Sequence, residues 1–177
     1  MRIGSGRACL CLVICALALL LGAPILANDA APTTAAEVQI RVAGQVLPLN
    51  ASVLAGLPHI DVTAAAHDEA PSTWRGVSLV DLLLRAGVAL DKPLRGRDLA
   101  SFVRVTAADN YQIVFALSDL DPTLGHGQVL LVEQRNGKPL DKDGPYRLLV
   151  PGDKRPARWV RNVTAIEVVD GATSPRP

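Results

Sequence analysis

The chain has 177 residues, of which 49% are hydrophobic, 20% charged and only 3% aromatic, and its formal net charge is +1. This length suits one ordinary domain, alone or with an export segment. A net charge so close to zero excludes a polybasic nucleic-acid-binding protein and an acidic disordered chain, so we expect no nucleic-acid partner.

The start of the chain has the pattern of a secretory signal peptide. Arg2 and Arg7 form a basic region, and an uncharged apolar run over 8–21 follows. Ala27 is a suitable small residue before a cleavage site. The apolar run is short for a helix that spans a bilayer. We therefore predict a Sec-type signal over 1–27, a periplasmic or secreted protein, and no membrane insertion after cleavage.

All three cysteines, Cys9, Cys11 and Cys15, lie inside this predicted signal. The chain after the signal therefore has no thiol for a disulfide, a metal site or nucleophilic catalysis. Any chemistry of the exported domain has to come from other side chains.

The rest of the sequence is typical of one domain with short flanks. Residues 28–36 are small and polar and contain proline, which indicates a linker, and 171–177 form a similar flexible tail. No Gly- or Ser-rich gap and no repeat divides the residues between them. We predict a single domain over 37–170.

In the first half of this domain, capping residues predict two short helices. Asn50 begins a helix that ends by residue 57. Ser78 and Asp81 form a capping box for a helix over 79–86. Hydrophobic residues predict strands at 38–42, 45–49 and 60–64. The polar residues over 67–73 predict a loop.

The second half is richer in strands. Asp109-Asn110 predicts a hairpin turn, Asn136-Gly137 a second tight turn, and 118–124 one short helical turn. The predicted strands are, in chain order, 102–106, 111–116, 128–134, 146–150 and 163–169. Several strands with two or three short helices predict an α+β, mostly-β domain.

The densest polar cluster is the segment 144–162, which carries five cations beside Tyr146 and Trp159. Guanidinium groups bind planar anions with two parallel hydrogen bonds, and aromatic faces stack on flat heterocycles. The segment would therefore suit a flat anionic ligand. The alternative is a solvated basic loop whose half-buried Trp fills the core. The five cations are Arg147, Lys154, Arg155, Arg158 and Arg161.

A second Trp–Arg pair, Trp74-Arg75, precedes Gly76 on an expected turn just before the second predicted helix. With Trp159, Trp74 would form two walls of one pocket for a flat ring. The alternative is that Trp74 covers the end of the core beside that helix.

The other polar residues give no motif for catalysis or metal binding. No Gly-x-Ser-x-Gly sequence supports a serine triad, and we predict no catalytic residue. The remaining candidates for metal ligands have spacings that match no compact ligand motif. They are His59, His67 and His126, with Asp61, Asp68 and Glu69.

Three blocks of sequence follow the order of motifs in a known family. They are Trp74-Arg-Gly-Val-Ser-Leu-Val-Asp-Leu-Leu84 with Ala86-Gly87; Ala107-Ala-Asp-Asn-Tyr111; and Gly144-Pro-Tyr-Arg-Leu-Leu-Val-Pro151 through Arg158-Trp-Val-Arg-Asn-Val163 and Ile166-Glu-Val168. In these blocks, which cover most of 37–170, the chain resembles the oxidoreductase molybdopterin-binding domain family of the sulfite oxidase fold. It is similar to the compact single-domain exported members.

The resemblance implies a pterin cofactor whose molybdenum is held by a Cys shortly before the Trp-x-Gly motif. Here that region, 62–66, reads Val-Thr-Ala-Ala-Ala. Without a thiolate the metal loses a direct ligand that neighbouring groups cannot replace, so we expect no metal. The family's pterin site is matched by Trp159, Arg158, Arg155 and Tyr146, with Trp74 and Arg75 nearby.

These observations predict an exported, non-catalytic module that binds a pterin-like or molybdopterin-like ligand, or another small flat anionic or heterocyclic molecule. Such a module would serve a membrane sensor or redox partner. Two alternatives stay open, namely a molybdopterin-dependent oxidoreductase with an atypical metal site, and a scaffold that has lost every ligand.

Overall fold

The computed structural model describes residues 37–66, 69–125 and 127–172. Over these ranges ten strands, three short α-helices and two 3-10 turns form, which confirms the predicted α+β, mostly-β class. The strands are β1 Val38–Val42, β2 Gln45–Leu49, β3 His59–Ala64, β4 Ser72–Ser78, β5 Phe102–Ala107, β6 Gln112–Ala116, β7 Leu130–Arg135, β8 Lys138–Pro139, β9 Arg147–Leu149 and β10 Val163–Val169. The helices are α1 Ala51–Ala55, α2 Leu79–Arg85 and α3 Leu117–Leu120, and the 3-10 turns are Gly96–Ala100 and Pro156–Arg158.

The strands form two sheets of five strands each. The first has the order β2-β1-β10-β5-β6, and the second has the order β3-β4-β7-β8 with β9 also paired to β7. All of these pairs are antiparallel except β1 and β10, which run parallel. The second sheet and the loop after β9 carry most of the residues discussed below.

One hydrophobic cluster holds both sheets together. It contains Ile40 and Ile166 from the first sheet, and Trp74 and Leu130 from the second, all fully buried. Helix α2 adds its buried face, because residues three and four apart on a helix point to the same side. Burial of this apolar surface is the main stabilising contribution to the fold.

Local signals for the helix ends are confirmed. The Asn50 side chain accepts a hydrogen bond from the Val53 N–H at 3.0 Å at the start of α1. The Ser78 hydroxyl accepts one from the Val80 N–H at 3.2 Å at the start of α2. Gly87, which follows α2, has φ +91°, a conformation that glycine adopts without steric cost.

The segment Trp74-Arg75-Gly76 was expected on a turn, and this prediction is wrong. These residues lie inside β4, between β3 and β7. A Cβ on Gly76 would lie 2.2 Å from the Leu131 carbonyl oxygen, so the glycine allows β7 to approach closely. The glycine that suggested a turn therefore marks a close contact between two backbones.

Several predictions fall outside the described residues. They are the signal over 1–27, the linker over 28–36, most of the tail over 171–177, and His67, Asp68 and His126. Among the residues that are described, none of the helices has the length and apolar character needed to cross a bilayer.

Candidate functional site: two cavities at Trp159

The two tryptophans of the domain contact each other in the core. Their ring centroids lie 6.3 Å apart, and the ring planes are nearly perpendicular, at 84°. Each indole N–H donates to a backbone carbonyl, from Trp74 to Ala64 and from Trp159 to Val150. Because Trp74 is completely buried, it belongs to the core and is not an open wall of a pocket.

Arg147, on β9, lies against both indole rings. Its guanidinium carbon is 4.9 Å from the Trp74 ring centroid and 5.8 Å from that of Trp159. The side chain is only 7% exposed, and one guanidinium nitrogen donates to the Asp143 carboxylate at 2.5 Å. Burial lowers the pKa of Arg147, and the charge of Asp143 opposes this shift. The guanidinium remains charged at neutral pH.

The Nε–H group of Arg147 is buried and has no hydrogen-bond partner within the described part of the chain. Buried polar groups in folded proteins are nearly always paired, so an exception requires an explanation. Other atoms of the Arg147 side chain line a cavity, so the unpaired Nε–H lies behind the wall of that cavity.

This cavity, which we call the arginine cavity, has a volume of about 320 Å³. It contains three arginines and two carboxylates, which are already paired. Arg135 donates to Glu69 at 2.6 Å, and Arg161 lies 3.8 Å from Asp143. The lining residues are Ala66, Glu69, Arg135, Asp143, Arg147, Pro156, Trp159 and Arg161.

A second cavity of about 480 Å³ lies beside the first and shares the wall formed by Pro156, Trp159 and Arg161. We call it the hairpin cavity because the turn between β5 and β6 forms one side. The Tyr111 hydroxyl of that hairpin donates to the Ala157 carbonyl at 2.7 Å and so connects the hairpin to the 3-10 turn. Lys142 adds a further cation to the lining.

The profile of the family described as "Oxidoreductase molybdopterin binding domain" matches residues 35–175, which is most of the chain. The chain belongs to this family. No curated protein matches it. The family assignment covers both sheets and both cavities, and it connects this molybdopterin-binding domain with a pterin ligand.

The residues present offer no protein thiolate in the region where the resemblance implies the molybdenum ligand. The region where the resemblance places the molybdenum-binding Cys ends β3, and Ala66 from that region lines the arginine cavity. A methyl group cannot act as a ligand. No group of three His, Cys, Asp or Glu side chains within the described ranges is placed to hold a metal.

The candidate metal ligands that the structure describes are instead engaged separately. His59 lies 3.1 Å from Glu133, Asp61 accepts from Arg75 at 3.1 Å, and Glu69 pairs with Arg135. The organic part of the cofactor is compatible with the site, because Trp159 and several guanidinium groups line the two cavities.

Arg158 faces a different cavity from its neighbour Trp159. Two of its nitrogens donate to the two Asp153 oxygens, and its guanidinium carbon lies 4.8 Å from the Phe115 ring centroid. The hydrogen bonds to Asp153 raise the pKa of Arg158. Arg158 and Phe115 line a third cavity of about 340 Å³. Arg155 is exposed and lines none of the cavities described here.

Tyr146 and Arg75 also do not line the arginine cavity. Tyr146 lines a separate cavity with Glu133, and burial together with the Glu133 charge raises its pKa. Arg75 is half-exposed and pairs with Asp61. The structure therefore brings together Trp74 and Trp159 from the sequence-predicted set, and separates Arg75, Tyr146, Arg155 and Arg158 from the arginine cavity.

Sequence reasoning named Arg147 only among the five cations of the segment 144–162, and it placed neither Arg147 nor Arg135 or Asp143 in the predicted pterin site. Arg147 had a detectable signal, because it is the one charged residue in the apolar strand predicted at 146–150. Arg135 had no signal in the sequence, because its partner Glu69 lies 66 positions earlier in the chain. Such pairs become visible only when the fold is known.

Proposed function

We propose that this protein binds a flat, pterin-like ligand at the two cavities around Trp159, without holding molybdenum and without metal-dependent redox chemistry. The observation that carries the proposal is Ala66 in the wall of the arginine cavity, next to Trp159 and the buried Arg147. Where the resemblance implies a thiolate, the wall of this cavity carries the methyl group of Ala66.

The two cavities suit such a ligand physically. Both volumes fall within the range of roughly 300–1,000 Å³ that small-molecule sites occupy. A pterin ring offers a flat face for Trp159 and a ring carbonyl that accepts hydrogen bonds from arginine. In the hairpin cavity, Lys142 and Arg161 outweigh the charge of Asp109 and leave positive charge for an anionic substituent.

We further propose that the protein is exported and acts as an accessory to a membrane sensor or redox partner. The basic and apolar pattern over 1–27 supports export. Cell fractionation followed by the intact mass of the purified protein tests this. A full-length protein in the cytoplasmic fraction would contradict the proposal, whereas a periplasmic or secreted protein shortened after Ala27 would support it.

Ligand binding is tested with protein purified from its own compartment. Native mass spectrometry should detect a bound small molecule, and metal analysis should find no stoichiometric molybdenum. Titration with 6-carboxypterin should change the tryptophan fluorescence, because Trp159 lines both cavities. Stoichiometric molybdenum would overturn the metal-free part of the proposal, and a silent titration would overturn the binding part.

Matched variants locate the site. Arg161→Gln should weaken 6-carboxypterin binding about tenfold, because it removes one charge-assisted contact. Its side chain is 67% exposed, so the fold should persist. Arg75→Gln is the control, since Arg75 is also an exposed, ion-paired arginine but lines none of these cavities. Equal effects of the two substitutions would argue against the site.

A further inference from the structure

The arginine cavity already contains two anions of its own. Asp143 contacts Arg147 at 2.5 Å and lies 3.8 Å from Arg161, and Glu69 accepts from Arg135 at 2.6 Å. Every arginine of the cavity therefore has a protein carboxylate beside it. A ligand that enters has to share these guanidinium groups with the carboxylates or displace them.

Asp143 is the more constrained of the two carboxylates. Its side chain is 19% exposed, compared with 45% for Glu69. Its carboxylate lies beside two arginines, Arg147 and Arg161. The backbone N–H of Asn162 donates to the Asp143 carbonyl at 2.7 Å. The carboxylate is thus held in the cavity wall by contacts on both sides of the residue.

The charges of the lining set a limit on what can bind. Among the described residues of the lining, three arginines and two carboxylates leave one excess positive charge. This excess can balance one negative charge of a ligand, but a second negative charge would lie against Asp143.

We propose that Asp143 is a specificity-determining residue: it restricts the arginine cavity to a neutral carbonyl or a singly charged acceptor and excludes dianions. Glu69 acts in the same way at Arg135. This inference concerns the cavity of the proposed function and names the chemical class of group that enters it. It depends on the position of an internal carboxylate and requires no metal.

The test uses small anions of different charge, titrated calorimetrically into the full exported protein. The probes are formate, which carries one negative charge, and inorganic phosphate at pH 8, which carries mainly two. For the unmodified protein, formate should bind at least as tightly as phosphate. In Asp143→Asn, phosphate affinity should rise about tenfold through loss of the repulsion, whereas formate affinity should change much less. Asn keeps an oxygen that can accept from Arg147.

Three further variants complete the anion titrations. Asp61→Asn removes a carboxylate that pairs with an arginine outside the cavity, and it should leave both affinities unchanged. Glu69→Gln removes the more exposed carboxylate, and it serves if Asp143→Asn does not fold by circular dichroism. Arg161→Gln should weaken the binding of both anions.

Phosphate affinity that stays the same in Asp143→Asn, or in Glu69→Gln if that variant replaces it, overturns the inference. An equal rise in Asp61→Asn also overturns it, because the effect would then reflect only net charge. These anion titrations do not use a pterin. A failure of 6-carboxypterin to bind would contradict the proposed function, and the selectivity for small anions would still be decided separately.

Discussion

Arg147 and Arg158 belong to the same segment, and each pairs with an aspartate four or five residues before it in the sequence. The surroundings of the two pairs differ. Arg158 is 39% exposed, and both Asp153 oxygens engage it. Arg147 is 7% exposed, is held by one contact to Asp143, and has an unused Nε–H. The same pairing in sequence therefore gives a doubly bonded, partly exposed pair in one place and a buried arginine at a cavity wall in the other.

The largest expected difference between the two pairs is in stability. Asp143→Ala would leave Arg147 buried without a counter-ion and should lower the free energy of unfolding by about 3 kcal/mol. Asp153→Ala leaves a guanidinium that water can solvate. This substitution should lower the free energy of unfolding by about 1 kcal/mol or less. Urea unfolding at pH 7 measures both. Equal losses would mean that burial does not distinguish the pairs.

A smaller difference is expected when each arginine becomes lysine. Arg147→Lys loses the flat contacts with two indole rings and should lower the free energy of unfolding by about 1–2 kcal/mol. Arg158→Lys keeps a surface charge near Asp153 and should lower it by about 0.5 kcal/mol. Thermal unfolding of both variants beside the unmodified protein gives the comparison. A greater loss of stability in Arg158→Lys than in Arg147→Lys would contradict this expectation.

In contrast to the two Arg–Asp pairs, Asp121 is bound by neutral hydrogen-bond donors. Its carboxylate accepts from the N–H groups of Leu94 and Thr123 and from the Thr123 hydroxyl, and these bonds, the Leu94 one first, lower its pKa. A lowered folded-state pKa stabilises the protein above the ordinary Asp pKa, and this contribution is lost as the pH falls through the folded value.

Asp121→Asn should therefore lower the free energy of unfolding modestly at pH 7, because the amide keeps one acceptor oxygen. The difference from the unmodified protein should shrink as the solution is acidified below the ordinary range of Asp. Urea unfolding between pH 7 and pH 2 follows it. A difference that stays constant over this range would show that the charge of Asp121 does not contribute.

Much of the fold could be predicted because its signals are local. Asn50 and Ser78 cap helices with their own side chains, and Asn110 and Asn136 adopt positive φ in the two predicted hairpin turns. These interactions lie within a few residues of the signal. They require no knowledge of which strands become neighbours.

The parts that sequence reasoning missed depend on contacts between distant segments. Gly76 is needed because Leu131 lies against it, and this turned an expected turn into a central strand. Arg147 is buried at the wall of the arginine cavity because Trp74 and Trp159 pack against it. The family resemblance pointed to the region of Trp159, but only the fold shows that Arg158 and Arg147 line different cavities.

The parallel pair of β1 and β10 has a consequence for how the protein acquires its structure. Gln39 pairs with Ala165, so the first strand of the domain waits for the last one before the first sheet is complete. Contacts between such distant positions slow folding, because a long loop must close before they form. The first sheet cannot be complete until β10, the last strand, has been synthesised. For a protein that we propose to be exported, such late completion favours passage through the membrane before the domain has folded.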